Sequence, residues 1–401
     1  MSQTYFDQKI RDIIAHAYDK APSVRAMLDK AGVTPADIQG AADLHKIPVL
    51  SKDALVEIHQ ANPPFGGFLT IDPADLPRIY ISPGPIYDPQ PPPEDPAILL
   101  EPFRYVGFGR GDRVLNTFTY HLTPAGILLD DGLRGVGATV IPTGPGNTDL
   151  QIMMVMALGI NGFVGQPSYL MQILDKMESM GVAPEANPFK KALFSAEPYL
   201  PAQRARFEGQ YGMKTTSAYG TADLGFIGYT RHDMPGFRIM PTVYVQIVDP
   251  TTGQDVEPGS NGEIVVTTFN KAYPLVRFGT GDLGALAADL VDGQQHLLGL
   301  FGRSGEAIKV RGMFLHPNQL RTAAAAFPAI DKIQAIITRP EHKDVVTLRV
   351  ELKEGAEANN LGEQLMAAAQ NAVRLRVDQV EFVPPGTIGN ERLVRDDRKW
   401  E

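Results

Sequence analysis

Three observations predict a mixed α/β chain made of a large first domain and a small second one. Strands and helices alternate through the middle of the sequence, short strands joined by turns follow, and a smaller pattern of strands and one helix closes it. A length of 401 residues exceeds one ordinary core and suits two or three domains.

The elements follow in order. Tyr5, Phe6, Ile10, Ile13, Ile14 and Ala17 recur at helical spacing, with Val24, Met27 and Leu28 after them. Thr34-Pro35 reads as a cap followed by a first-turn proline, and Ser51 can cap the segment KDALVEIH. From Pro83 to Pro96 prolines exclude a central strand or a helix. DRVLNTF and ATVIPT then read as strands flanking the helix AGILLDDGLRGVG. GFVG leads into the helix SYLMQILDKM, and KALFSAEP into the helix AQRARFEGQYG. That alternation argues for a mainly parallel sheet covered by helices. Beyond Tyr219 the pattern shifts: VYVQIVDPTTGQDV reads as a hairpin and GEIVVTTF as a strand. The closing unit holds the strands KIQAIITRP, VVTLRVEL and QVEFV and the helix LGEQLMAAAQNAVRL. The glycine-flanked turn GRSGEAIKVRG marks the boundary, giving domains 1–302 and 303–401.

Composition excludes several classes. Hydrophobic residues at 43% and charged residues at 21% are ordinary for a globular chain. No apolar run is long enough for a membrane span, and the acidic start without an apolar core does not read as a secretory signal. The absence of cysteine removes disulfides, a thiol nucleophile and cysteine-ligated zinc, and is compatible with the cytoplasm. A net charge of −9 argues against nucleic acid, and the basic stretch Arg392 to Lys399 also carries Asp396 and Asp397.

Four segments are not explained by core periodicity. SAYGTADLG (217–225) places a tyrosine, a glycine, a hydroxyl and a carboxylate together: a ring that stacks on a base, a phosphate contact and a magnesium ligand. In RFGTGDLG (277–284), Asp282 sits beside two glycines and can accept from ribose hydroxyls. GRSGEAIKVRGMFLHP (302–317) gathers Arg303, Lys309 and Arg311 as an anion-contacting turn. SAEP (195–198) follows an apolar strand, at the lip where a parallel sheet meets ligand. Each of the first three, taken alone, reads more readily as a surface turn.

Together, in this order and spacing, they resemble the adenylate-forming ligases, specifically the phenylacetate–CoA ligase branch. AGVTPADIQGAADLHKIPVLSKDAL is similar to that branch's lead-in, and GLRGVGATVIPTGPGNTDLQIMMVMALGINGFVGQPSYL to its central segment. The resemblance implies helix-covered sheets with a small β-barrel-like part, followed by a mobile C-terminal lid. It implies a small carboxylic acid, aromatic or otherwise, ATP, magnesium and coenzyme A, with no nucleic acid or membrane partner and with homodimerisation open. Tyr219 would stack on adenine, with Ala196 and Glu197 at its edge and Gly220 beside it. Thr221 would contact the α-phosphate, and Asp223 would hold magnesium. Asp282 and Arg303 would take the ribose, and Lys309 would join the nucleotide contacts. Gly305 stands where the family's hinge carboxylate would be.

Two departures bear on the reaction. The family's phosphate loop reads S-S-G-T-T-G-K-P; here Ile81 to Pro89 offers Pro83, Pro85 and Pro89 without amides, and Asp88 near the lysine position. At the C-terminal motif, Pro385-Gly386-Thr387-Ile388-Gly389-Asn390 ends on asparagine where the family has its catalytic lysine. Losing one such charge costs on the order of 10²–10³ in rate. Three readings therefore stand: a working AMP-forming acyl-CoA ligase, a relative that binds AMP, acyl-adenylate or acyl-CoA without efficient adenylation, or a partner-binding protein with a vestigial pocket. His121, after TFTY, is placed either at the acyl pocket or as a structural histidine.

Overall fold

Apolar residues three and four apart build the first helices. α1 (Gln3–Lys20) buries Phe6, Ile10, Ile13, Ile14 and Ala17, and Ser2 caps it by accepting from the Tyr5 amide. α2 (Pro22–Lys30) opens on a proline, and α3 (Lys52–Ala61) on Ser51, whose hydroxyl accepts from the Ala54 amide at 3.1 Å. Thr34 caps a single 3₁₀ turn, Pro35–Asp37, with Asp37 bonding back to the Thr34 amide. The computed structural model describes residues 2–82, 86–92, 95–303, 308–311, 313–315, 317–358, 360–373, 375–389 and 392–399. Two compact units divide the chain, Met1–Ser304 and Gly305–Glu401.

Proline sets the next stretch. β1 (Arg78–Ser82) and β2 (Ile86–Gln90) form an antiparallel hairpin outside the main sheet, where Pro89 needs no ladder amide. Its tip, Pro83 to Pro85, lies outside the described residues. α4 (Pro96–Leu99) starts on a first-turn proline and α5 (Glu101–Val106) follows.

The sheet of the first unit has a parallel and an antiparallel half. β3 (Arg113–Asn116), α6 (Ala125–Gly135), β4 (Thr139–Pro142), α7 (Thr148–Leu158), β5 (Gly162–Gly165), α8 (Pro167–Ser179), β6 (Lys191–Phe194), α9 (Pro201–Arg204) and β7 (Lys214–Thr221) alternate as expected. Strands β4, β3, β5, β6 and β7 pair in parallel. β5 is buried at every position, as strands covered on both faces are. α6 is glycine-rich because it packs on a ring: a Cβ at Gly132 would sit 2.2 Å from Phe103.

α7 escapes the periodicity reading. Its sequence TDLQIMMVMAL is apolar all round, and Leu150, Met153, Met156 and Leu158 are exposed, so no helical stripe stands out.

β8 (Gly225–Arg231), β9 (Met234–Ile239), β10 (Val243–Val248), β11 (Gly262–Thr268), β12 (Phe278–Leu286) and β13 (His296–Arg303) pair antiparallel and continue the sheet through β7. The result is one 11-stranded sheet.

The second unit begins with the hairpin β14 (Ile308–Val310) and β15 (Met313–Leu315), then α10 (Pro317–Ala325). β16 (Ile330–Thr338), β17 (Val345–Leu352), α11 (Leu361–Val373), β18 (Gln379–Val383) and β19 (Val394–Asp396) complete it. The four strands run in the order β18-β17-β16-β19. Alternate residues Ile333, Ala335 and Ile337 of β16 and Val346, Leu348 and Val350 of β17 meet Leu365 and Ala369 of α11 in its core. Among the described residues no helix is long and apolar enough to cross a membrane.

One joint positions α3. The Leu50 amide donates to the Arg277 carbonyl and the Gly279 amide to the Leu50 carbonyl, both at 2.9 Å, so the lead-in adds alongside the start of β12. The Arg277 side chain, 1% exposed, closes the joint by donating to the carbonyls of Ile47 and, at 2.7 Å, Gly253. Arg277→Met leaves both carbonyls without that donor inside the protein. Urea unfolding should show a loss of about 1–3 kcal/mol, the cost of stranding a buried acceptor; unchanged stability would show that the joint holds without the guanidinium.

Candidate active site

β7 is where the sheet changes character, parallel to β6 on one side and antiparallel to β8 on the other. Its C-terminal end carries Tyr219, Gly220 and Thr221. Gly220 is required by close approach, since a Cβ there would lie 2.4 Å from the Gly225 carbonyl oxygen. Thr221 closes the following turn by accepting from the Leu224 amide at 3.2 Å. Ala196 and Glu197 follow neighbouring β6, and the Ser195 hydroxyl ties that strand end to β7 by donating to the Ala218 carbonyl at 2.9 Å.

The antiparallel half delivers the charged pair. Asp282 of β12 stands opposite Arg303 of β13, and the Arg303 Nε donates to Asp282 Oδ1 at 2.9 Å. The Tyr219 hydroxyl donates to the other oxygen, Oδ2, also at 2.9 Å. Three residues from two separate sequence segments and a domain edge thus meet at one carboxylate. Burial, and then the Asp282 charge, push the Tyr219 phenol well above its ordinary pKa, so it stays a donor. Its ring packs 6.0 Å from Phe237.

Glu263 of β11 is a member that the sequence reading did not single out. Its Oε1 accepts from the Gly281 amide at 3.1 Å, holding the backbone one residue before Asp282. Burial raises its pKa, and the Gly281 amide works in the opposite direction.

The Glu197 carboxylate is engaged away from β7: it accepts from the Ser168 amide at 2.6 Å and the Ser168 hydroxyl at 2.9 Å, at the N-terminus of α8, which leaves the backbone of Glu197 as its part at the strand end. Its neighbour Ala196 has φ +75°, an unfavourable left-handed conformation at this strand end. His121 is exposed, and its backbone amide donates to the Thr119 hydroxyl at 3.3 Å.

Asp223 is also differently employed. Its side chain is 2% exposed, and Oδ2 lies 3.0 Å from the ammonium of Lys52 on α3, a residue 171 positions away that sequence spacing could not bring forward. The other oxygen, Oδ1, is buried without a hydrogen-bond partner. Magnesium needs open octahedral geometry with several waters. A sealed carboxylate already neutralised by an ammonium does not fit it, and among the described residues no cluster of three or more His, Cys, Asp or Glu offers an alternative.

The remaining residues expected at the site belong to the second unit. The Lys309 side chain, Gly305 and Asn390 lie outside what is described. The loop leading to Asn390 is held firmly all the same. Glu351 of β17, with a side chain 1% exposed, accepts from the Ile388 amide. Lys332 donates to the Ile388 carbonyl at 2.9 Å.

No family model matches the chain. It is 28% identical over 419 residues to a phenylacetate-coenzyme A ligase of Aromatoleum evansii, covering 98% of this chain and 94% of that protein. A phenylacetate-coenzyme A ligase of Thermus thermophilus is 28% identical over 364 residues, 87% of this chain and 81% of its own length. In three dimensions the chain is similar to a 2-hydroxyisobutyryl-CoA ligase solved with 2-HIB-AMP and CoA. The TM-score is 0.91 at 23% identity, over 99% of this chain and 90% of that one, a likeness of fold.

The Glu351 contact gives a pH dependence with a definite sign. The backbone amide of Ile388, aided by those of Gly386 and Thr387, holds the Glu351 carboxyl below its ordinary range. A carboxyl with a depressed folded pKa stabilises above its unfolded pKa, and that contribution is lost as pH falls through the folded value. Glu351→Gln should therefore destabilise the protein at pH 7 and make little difference once the wild-type carboxyl is protonated. Thermal unfolding across pH 2 to 7 checks this; an equal deficit at every pH contradicts it.

Proposed function

We propose that this chain, a homologue of the phenylacetate–CoA ligases with the adenylate-forming ligase fold, is an AMP-forming acyl-CoA ligase for an aromatic or other small carboxylic acid. The observation that carries the reading is the Tyr219–Asp282–Arg303 constellation. A carboxylate has about four lone-pair positions. Two are taken by Tyr219 and Arg303, which fix its orientation, and two remain for the vicinal hydroxyls of a ribose. In this reading Thr221, at the end of β7, contacts the α-phosphate, and Tyr219, Gly220, Ala196 and the backbone of Glu197 form the wall for the base.

The reaction has two balanced steps. An oxygen of the acid attacks the α-phosphorus of ATP, the bond from that phosphorus to the bridging oxygen breaks, and pyrophosphate leaves. The CoA sulfur then attacks the acyl carbon, AMP leaves, and the thiol proton passes to solvent. Magnesium in this reading arrives on the nucleotide phosphates, since Asp223 is already paired.

The hairpin Arg78–Gln90 supports a slow first step. Pro89 lies in β2 and Asp88 beside it is 5% exposed; by the resemblance, this buried carboxylate stands near the position of the family's lysine. The test compares two routes with phenylacetate and benzoate as trial acids. Acid, ATP and CoA should give thioester with AMP release and measurable ATP–pyrophosphate exchange. Preformed acyl-adenylate with CoA should give thioester faster. No exchange, together with no thioester by either route, contradicts the ligase reading; thioester from the adenylate alone identifies a protein that has kept only the thiol step.

A further inference from the structure

The phosphate side of the site has lost the two lysines that the resemblance calls for, yet it holds a cation. Ser51 starts α3, and the first helical residue, Lys52, puts its ammonium 3.0 Å from Asp223 Oδ2. The Lys52 side chain is 21% exposed and that of Asp223 only 2%, so the ammonium is the member of the pair that meets solvent. Asp223 Oδ1 is buried without a hydrogen-bond partner, so the ammonium engages the carboxylate through Oδ2.

The surroundings make this charge matter. Burial, followed by the charges of Asp88 and Asp223, raises the pKa of Tyr273, which places both carboxylates near one phenol. The Tyr273 hydroxyl bonds to His59 Nε2 at 2.8 Å. His59 is seven residues beyond Lys52, two turns along the same face of α3. Burial lowers the His59 pKa, so this face gains no second cation there. Among the described residues, a phosphate bound near Thr221, two residues before Asp223, would have the Asp223 carboxylate and its Lys52 partner at hand.

We propose that Lys52 is the phosphate-contacting cation of this site, its ammonium bridging Asp223 and the nucleotide α-phosphate in the place where a metal would otherwise sit. The proposal rests on the nucleotide reading of the Tyr219–Asp282–Arg303 constellation. Lys52 gives the site a positive charge that needs no divalent ion, and Asp223 holds it in place.

Calorimetric titration with adenosine and with AMP, both in the presence of a chelator, separates the two claims. Wild type should bind AMP more tightly than adenosine. Lys52→Met should lose AMP affinity by about tenfold or more, about 1.4 kcal/mol, with adenosine affinity within about twofold of wild type. Lys52→Arg should keep most of the difference between the two ligands. Because Lys52→Met leaves a buried carboxylate uncompensated, the double variant Lys52→Met/Asp223→Asn is measured beside it. It should recover thermal stability without recovering the preference for AMP. A preference for AMP that survives in both variants overturns the role of Lys52 and leaves the nucleotide site standing. Wild type that binds neither ligand overturns the nucleotide reading and this proposal with it.

Discussion

A buried guanidinium at the start of β12 is the constraint from which the site follows. Arg277 is 1% exposed and is spent on two carbonyls, Ile47 and Gly253. A charge so placed must be satisfied by fixed acceptors, and here the acceptors belong to the lead-in segment and to the loop after β10. The lead-in is thereby clamped beside Phe278, and α3 must start two residues later at a fixed place. Lys52 reaches Asp223 because of that clamp. Five residues beyond Arg277, the same strand delivers Asp282 to Tyr219 and Arg303. One strand therefore sets both the Asp282 carboxylate and the start of the helix that carries Lys52.

Carboxylates dominate the interior of this site, and each handles its charge in a different way. Asp282 is held between a guanidinium and a phenol; Asp223 is held by an ammonium. Glu263 has its pKa raised by burial and accepts from a backbone amide. Glu197 accepts from an amide and a hydroxyl at the start of α8. Pairing of this kind occupies these carboxylates with protein partners, and among the described residues no cluster of three or more His, Cys, Asp or Glu is left to hold a metal.

Local pattern made the architecture legible. The stripe Phe6, Ile10, Ile13, Ile14 and Ala17 is the buried face of α1, and the alternation from DRVLNTF to AQRARFEGQYG is the parallel half of the sheet. α7 was not legible, because a helix apolar on every side has no period to detect. The same limit governs the site. Tyr219, Asp282 and Arg303 were singled out because glycines and polar residues interrupt apolar strands there, and the structure brings them together. Lys52 is visible in the sequence as the residue after a cap, but its partner is 171 positions away and is brought near only by the fold of the lead-in beside β12. Glu197 was placed at the base edge by motif position, while its carboxylate belongs to the end of a helix whose Ser168 lies in another segment.

The central claim is that Asp282, oriented by Tyr219 and Arg303, holds the ribose of an adenine nucleotide. A crystal structure of the protein soaked with AMP tests it most directly. The account predicts both ribose hydroxyls within hydrogen-bonding distance of the Asp282 carboxylate, with that carboxylate still bonded to Tyr219 and Arg303. AMP bound elsewhere, or a ribose turned away from Asp282, would contradict it.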